Sequence, residues 1–306
     1  MRLDYHLIDV FTNRQFGGNQ LAVFSDPPTG LRASIMQRIA KELNLSETTF
    51  VFPPVAAGNC CRLRIFTPAA ELPMAGHPTI GSAYMLARLG RLGPIDGAMT
   101  ITIEEGVGPI SVSIRSAAKG DPTEVWMKQP TPRFLDIKSD RSAIAAMLSL
   151  KASDLHASAP MQVLSSGLPF LFVMINSLEA LRRIRFRHDV WSNQLAGAPG
   201  ENVFVATTET VNADSSAHCR MFAPALGISE DPATGSASGP LGAYLLKYEL
   251  LQSCDMVSEQ GFEIGRPSFI RISVQRDGEA FSQVAVGGGC VYVGHGSLYI
   301  DETSAD

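Results

Sequence analysis

Apolar positions along the 306-residue chain recur with two periods, and the changes of period mark the elements. Ile35, Ile39 and Leu43 stand four apart, one buried face of a helix that Asn44 can stop. β-Branched and aromatic runs predict strands at 3–11, at 20–24, from Thr48 onward and from Cys60 to Phe66. A turn from Asn13 to Asn19 separates the first two, and Ala98 to Ile103 and Ile110 to Ile114 form a hairpin across Gly106 and Gly108. Further on, the pattern predicts strands at 123–128, 161–165, 169–175, 202–207 and 218–223. Helices are expected at 141–149, 177–184 and His188 to Leu195. Residues 255–301 read as strands broken by glycines, among them Gly261, Gly265, Gly278 and Gly294.

Two stretches within this pattern are alike. His77-Pro78-Thr79-Ile80-Gly81-Ser82-Ala83 follows an Arg-x-Phe-x-Pro-Ala segment, Arg64 to Ala69. Asp231-Pro232-Ala233-Thr234-Gly235-Ser236-Ala237 follows another, Arg220 to Ala225. Each opens an apolar run, Ala83 to Leu89 and Leu241 to Leu251, that reads as a helix. A helix apolar nearly all round fits one wrapped by sheet. Pro240, which lacks an N–H, is placed in the first turn of the second helix. The recurrence predicts two similar α/β (α+β) halves, each a curved, mainly antiparallel sheet about a central helix. The expected domains are 1–118 and 122–306, joined at Lys119-Gly120-Asp121-Pro122, with the last strand free to return to the first. The cleft between them is the expected ligand site.

Composition narrows the class. The chain is 45% hydrophobic and 18% charged with a net charge of −5, as for an ordinary globular protein. That acidic balance offers no stripe to neutralise nucleic-acid phosphates. No apolar run reaches the roughly 18 residues that span a bilayer, and the first residues lack a signal peptide's apolar core. The five cysteines include no C-x-x-C and read as buried small hydrophobes in a reduced, cytoplasmic setting. The six histidines lack metal-ligand spacing, so no metal is expected. Gly287-Gly288-Gly289 runs into a strand rather than a helix and fails as a dinucleotide loop.

The chemistry concentrates near the repeats. A Pro-x-x-Gly-Ser helix start leaves backbone N–H groups bare, and such an end holds a carboxylate or phosphate. Glu47, at the mouth of the strand from Thr48, is the candidate acid/base group, because one carboxyl can take a proton from carbon and return it elsewhere. A strand-start glutamate can also merely cap, with Asn44 as its partner. His77 can donate to a carbonyl or hydroxyl, and Asp231 can bind an amine or relay a proton. A lone His after Gly, or a lone Asp before Pro, is also an ordinary turn residue.

Several strings together resemble the PhzF-like, phenazine-biosynthesis isomerase family. They are Asp9-x-Phe11…Phe16-x-Gly18-Asn19-x-x-Ala22-Val23, Leu45-Ser46-Glu47-Thr48-x-Phe50, Ala75-Gly76-His77-Pro78-Thr79, Glu230 to Ser236, and Gln260-Gly261 with Gly265-Arg266-Pro267-Ser268. The resemblance covers nearly the whole chain, with Gln20 departing from the family's usual proline. It implies the diaminopimelate-epimerase-like fold, two pseudo-symmetric domains, a homodimer, and no cofactor or metal. It implies Glu47 as the catalytic acid/base and His77 and Asp231 as groups that assist. It assigns Ser46, Gly76, Gly235 and Ser236 to a small anionic substrate. Relatives in the wider fold carry a cysteine in each repeat turn, which this chain lacks, so two-thiol racemisation is disfavoured. The expected activity is a cofactor-independent proton shift between carbons of a small carboxylated metabolite. The alternatives are an amino-acid epimerase or racemase of the same fold and a non-catalytic binding protein.

Overall fold

The computed structural model describes residues 1–116, 122–136, 140–278 and 280–301. Two compact units divide the chain: Met1–Lys128 with the segment from Gly287 onward, and Gln129–Val286. Lys119, Gly120 and Asp121 of the expected linker lie outside the described residues.

In the first unit the apolar runs become strands around one buried helix. The chain enters as β1 (Arg2–Val10) and β2 (Asn19–Phe24), crosses as α1 (Ala33–Leu43), and returns as β3 (Glu47–Phe52) and β4 (Cys61–Phe66). A short β5 (Glu71–Leu72) leads into α2 (Gly76–Arg88), followed by β6 (Ala98–Glu105), β7 (Gly108–Ser116) and β8 (Pro122–Gln129). Ladders join β1 to β2 antiparallel, β2 to β3 parallel, β3 to β4 antiparallel, β4 to β6 parallel, and β6 to β7 antiparallel. Asn44 closes α1 in the left-handed conformation (φ 51°), its N–H bonded to Ala40 O, as its sequence position suggests.

The second unit repeats this plan. It comprises β9 (Arg133–Leu135), α3 (Arg141–Met147), β10 (Gln162–Ser165), β11 (Pro169–Met174), α4 (Leu178–Arg182) and α5 (His188–Gln194). Then come β12 (Asn202–Thr207), β13 (Ala217–Ala223), β14 (Ile228–Asp231), α6 (Gly235–Lys247), β15 (Asp255–Gln260), β16 (Ser268–Asp277) and β17 (Ala280–Gly288). The chain goes back to the first unit as β18 (Cys290–Tyr299), antiparallel to β1. The ladder senses along β9-β10-β11-β12-β13-β15-β16 match those along β18-β1-β2-β3-β4-β6-β7, one by one.

Each sheet curls because it must cover a helix that is apolar on every side. Residues Gly76 to Leu86 of α2 are buried, and the helix touches β1, β2, β3 and β7. In α6, Gly235 to Leu246 are buried, with β10 and β16 among the strands it touches. The mixed α/β class and the helix-centred curled sheet are therefore as expected. A second layer covers the outer face, where α1 buries Ile35, Met36 and Ile39 against Phe24, Phe50 and Phe66.

Two details correct the sequence reading. Pro240 is the sixth residue of α6, not in its first turn, because the helix already starts at Gly235. The repeated strings are also offset against the fold. The connections Leu72–Gly76 and Asp231–Gly235 have equal length, so His77 is the second residue of its helix while Asp231 ends the strand ahead of α6. Ser236 holds His77's helical position, and Gly81-Ser82 lies mid-helix. What repeats in space is the delivering hairpin. Arg64 grips Glu71 through two hydrogen bonds of 2.7 Å, and Arg220 grips Glu230 through two of 2.8 Å.

Candidate functional site

In the first unit, β3 and α2 bring together two groups singled out in the sequence. Glu47 opens β3 beside Leu21 of the parallel strand and is 8% exposed. His77 is 3% exposed, and its Nε2 stands 3.4 Å from Glu47 Oε2. Its other nitrogen faces the amide of Asn19, which opens β2, at 3.2 Å. With Asn19 Nδ2 as the donor in that pairing, Nδ1 accepts and a neutral ring carries its hydrogen on Nε2; Nε2 and Glu47 Oε2 are close but not hydrogen-bonded to each other. Burial drives the His77 pKa down to about 3, against a smaller opposing effect of the Gln20 backbone. The close approach is therefore neutral imidazole to carboxyl group rather than an ion pair. Gly76 and half-buried Ser46 flank the two groups in sequence, and no side chain caps the start of α2.

The loop that carries Asn19 is fixed by the residues before it. Buried Asp9 accepts the Phe16 N–H at 2.7 Å, and Phe11 N–H donates to Gly289 O at 2.8 Å. Gly289 of the triple glycine thus helps seat this loop. Gly18 has φ +64°, and a Cβ there would lie 2.3 Å from Val10 O, so only glycine fits. Gln20, the departure from the family pattern, pairs with Asp9 in the ladder and is exposed.

In the second unit, Asp231 is 4% exposed and accepts the Thr234 hydroxyl at 2.6 Å. Gln260, at the end of β15, closes the network. Its Oε1 accepts Thr234 N–H at 3.1 Å, and its Nε2 donates to Asp231 O at 2.7 Å and Thr234 Oγ1 at 3.0 Å. Gly235 and Ser236 begin α6, whose start also lacks a side-chain cap. Next to Gln260, buried His218 bridges Glu259 (2.7 Å) and Glu263 (3.0 Å). Burial opposes charge there, but the hydrogen bonds prevail: His218 is raised and Glu259 falls to about 2.

Sequence reasoning quoted Asn19 and Gln260 within motifs but gave them no task, and it passed over Thr234's side chain and Glu105. The usable signal was a glycine next to each of the first two. No cluster of metal-ligating side chains occurs among the described residues, and no helix among them is long and apolar enough to cross a membrane. A cavity of about 360 Å³ lies elsewhere in the first unit, between α1 and the end of β18, and none of the candidate residues lines it.

A family model described as phenazine biosynthesis-like protein (PhzC-PhzF) matches residues 8–296. An uncharacterized isomerase of Mesorhizobium japonicum is 38% identical, covering 97% of this chain and 99% of its own. The trans-2,3-dihydro-3-hydroxyanthranilate isomerase of Pseudomonas chlororaphis is 33% identical, over 97% of this chain and 99% of its own. The crystal structure of a phenazine biosynthesis protein of the PhzF family from Bacillus anthracis matches with a TM-score of 0.87 at 30% identity, covering 98% of this chain and all of that one. Fold and likeness together define the class, an isomerase with the diaminopimelate-epimerase-like architecture. The chain belongs to the phenazine biosynthesis-like family, PhzC-PhzF.

Proposed function

We propose that the protein is a cofactor-independent isomerase that moves a proton between carbons of a small carboxylated, cyclic or amino-bearing metabolite. The observation that carries this reading is the buried Glu47 carboxyl 3.4 Å from a neutral His77, beside an uncapped helix start. The Glu47 carboxylate takes a proton from one carbon, the electron pair left behind shifts through the adjoining unsaturated system, and the resulting acid returns the proton to a second carbon. One group performs both steps, so the balance closes without a redox partner. His77 Nε2–H steadies the carboxylate or a substrate oxygen, and the bare N–H groups at Gly76 receive a substrate carboxylate with Ser46 beside them. Asp231, Gly235 and Ser236 are assigned to substrate contacts as well. Dihydro-hydroxyanthranilate chemistry, named for the Pseudomonas relative, is the model for the substrate class. A homodimer, on the strength of the family resemblance, and a cytoplasmic setting, from the cysteine pattern, complete the proposal.

The test is isotope exchange. A metabolite library is screened by thermal shift, and each ligand found is incubated with enzyme in D₂O. Wild-type protein should place deuterium on carbon, and Glu47→Gln should slow this by about 10²–10⁴ while still binding. Undiminished exchange in that variant removes Glu47 from the mechanism. Exchange at one stereocentre, with inversion and no change of position, would reassign the activity to epimerisation.

A further inference from the structure

Two residues beyond His77, Thr79 is bonded to a carboxyl group that the proposed chemistry does not use. Glu105, the last residue of β6, is 8% exposed, and its Oε1 is hydrogen-bonded to Thr79 Oγ1, on the first turn of α2. Thr79 Oγ1 is also 2.6 Å from Ala75 O, the carbonyl just ahead of that helix. Both neighbours would be acceptors if Glu105 were ionised, and a hydroxyl has a single hydrogen. The chain of bonds closes only when the Glu105 acid donates to Thr79 and Thr79 donates to Ala75. The other oxygen, Oε2, has no hydrogen-bond partner, which an ionised carboxylate at that depth would tolerate poorly.

The same turn holds the approach to α2 from a second side. Val107 N–H donates to Pro73 O at 3.1 Å, and a Cβ on Gly106 would lie 2.8 Å from Pro73 Cα. The β6–β7 turn therefore grips the backbone at Pro73 and, through Thr79, at Ala75, on both sides of the bend that aims His77. Among the described residues no cation is paired with the carboxyl. On β4, Arg62 lies over the Phe52 ring. Beside Glu105, Glu104 is taken by Val55 N–H, Ala56 N–H and Asn59. The titratable group that Glu105 acts on electrostatically is the buried Cys61 thiol at the start of β4. Arg115 of β7 pairs with Ala98 at the far end of the hairpin.

We infer that Glu105 is a positioning residue: a buried carboxylic acid, kept protonated at neutral pH, that locks the first turn of α2 so that His77 faces Glu47. Its neutrality also matters electrically, because a carboxylate lodged there would compete with an anionic substrate for the positive end of the same helix. Burial, partly offset by the hydrogen bond shared with Thr79, pushes the Glu105 pKa up to about 8, in line with this geometry.

The consequence for rate rests on the role proposed for His77, so the test reads the free enzyme. Infrared difference spectra at pH 7 should contain a protonated-carboxyl C=O band that shifts in D₂O. The band should vanish in Glu105→Gln and move in Thr79→Val. Nitrogen NMR of His77 should then be unchanged in Glu105→Gln, whose amide can donate to Thr79, and displaced in Glu105→Ala, which cannot. Absence of the band from wild-type protein, or its persistence unaltered in both variants, overturns the protonated state. An undisturbed His77 in Glu105→Ala overturns the positioning role. Should Glu105→Ala not fold, Thr79→Val takes its place: it removes the same bond, so the His77 nitrogen signals should be displaced in it, and an undisturbed His77 there overturns the positioning role. None of these readings depends on Glu47, so failure of the isomerase proposal would leave them standing.

Discussion

At the scale of single residues, the tautomer of His77 is the feature on which the proposed chemistry turns. With its pKa near 3 the ring is neutral across the working pH range, so in the proposed mechanism it donates a hydrogen bond rather than a proton. We assign the hydrogen to Nε2 on the reading that Asn19 donates to Nδ1. Asn19→Asp reverses that arrangement. A carboxylate can only accept, so Nδ1 would carry the hydrogen and a bare Nε2 would face Glu47. Nitrogen NMR should record the switch, and deuterium exchange into substrate should fall by at least about tenfold. The wrong tautomer in the serine-protease triad lowers rates by as much as about 10⁴. Retention of the Nε2–H form in Asn19→Asp would show that Asn19 does not set it.

At the scale of elements, legibility followed the strength of the local signal. The helix of Ile35, Ile39 and Leu43 with its Asn44 stop, and the strand after Glu47, were readable because period and end residue agreed. The central helices were readable as buried but not in their starts. Small residues such as Gly235, Ser236 and Gly81 pack equally well at a helix end and in its middle, so two similar strings were offset against the fold. The Gln260-Gly261 pair was visible as a motif, but its purpose depends on a chain segment 29 residues away. Gly261 has φ +80°, and a Cβ there would lie 2.6 Å from Pro232 O, against the turn that carries Asp231. Gly265 has φ +74° with open space around it. Gly265→Ala should therefore lose only the left-handed penalty, about 1–2 kcal/mol. Gly261→Ala pays that and a backbone clash as well, and should be clearly less stable in urea melts, with weaker ligand binding. Equal losses for the two would mean that the contact with Pro232 carries no weight.

At the scale of the whole molecule, four buried groups pull stability in opposite directions with pH, two in each unit. His77 is held down, from 6.5 to about 3, by burial. The unfolded chain takes up that proton first, so stability is lost as pH falls below 6.5. Glu259, held at about 2 by hydrogen bonds that outweigh its burial, adds a second loss as pH falls below 4.5. Glu105 acts in the other direction: raised by burial from 4.5 to about 8, it keeps a proton that the unfolded chain releases, so stability falls as pH rises from 4.5 to 8. His218, raised above 6.5 by its two carboxylates despite burial, adds its own loss above 6.5. Between 4.5 and 6.5 the effects of His77 and Glu105 are one proton each and opposite in sign, so they cancel. Thermal melts should show a plateau there and a decline on both sides. Glu105→Gln removes one of the two opposing slopes. In that variant stability should climb with pH from 4.5 to 6.5, and the alkaline decline should be shallower. A plateau that survives the substitution would mean that Glu105 already titrates as an exposed carboxyl does, and that the acid bonded to Thr79 is ionised at neutral pH.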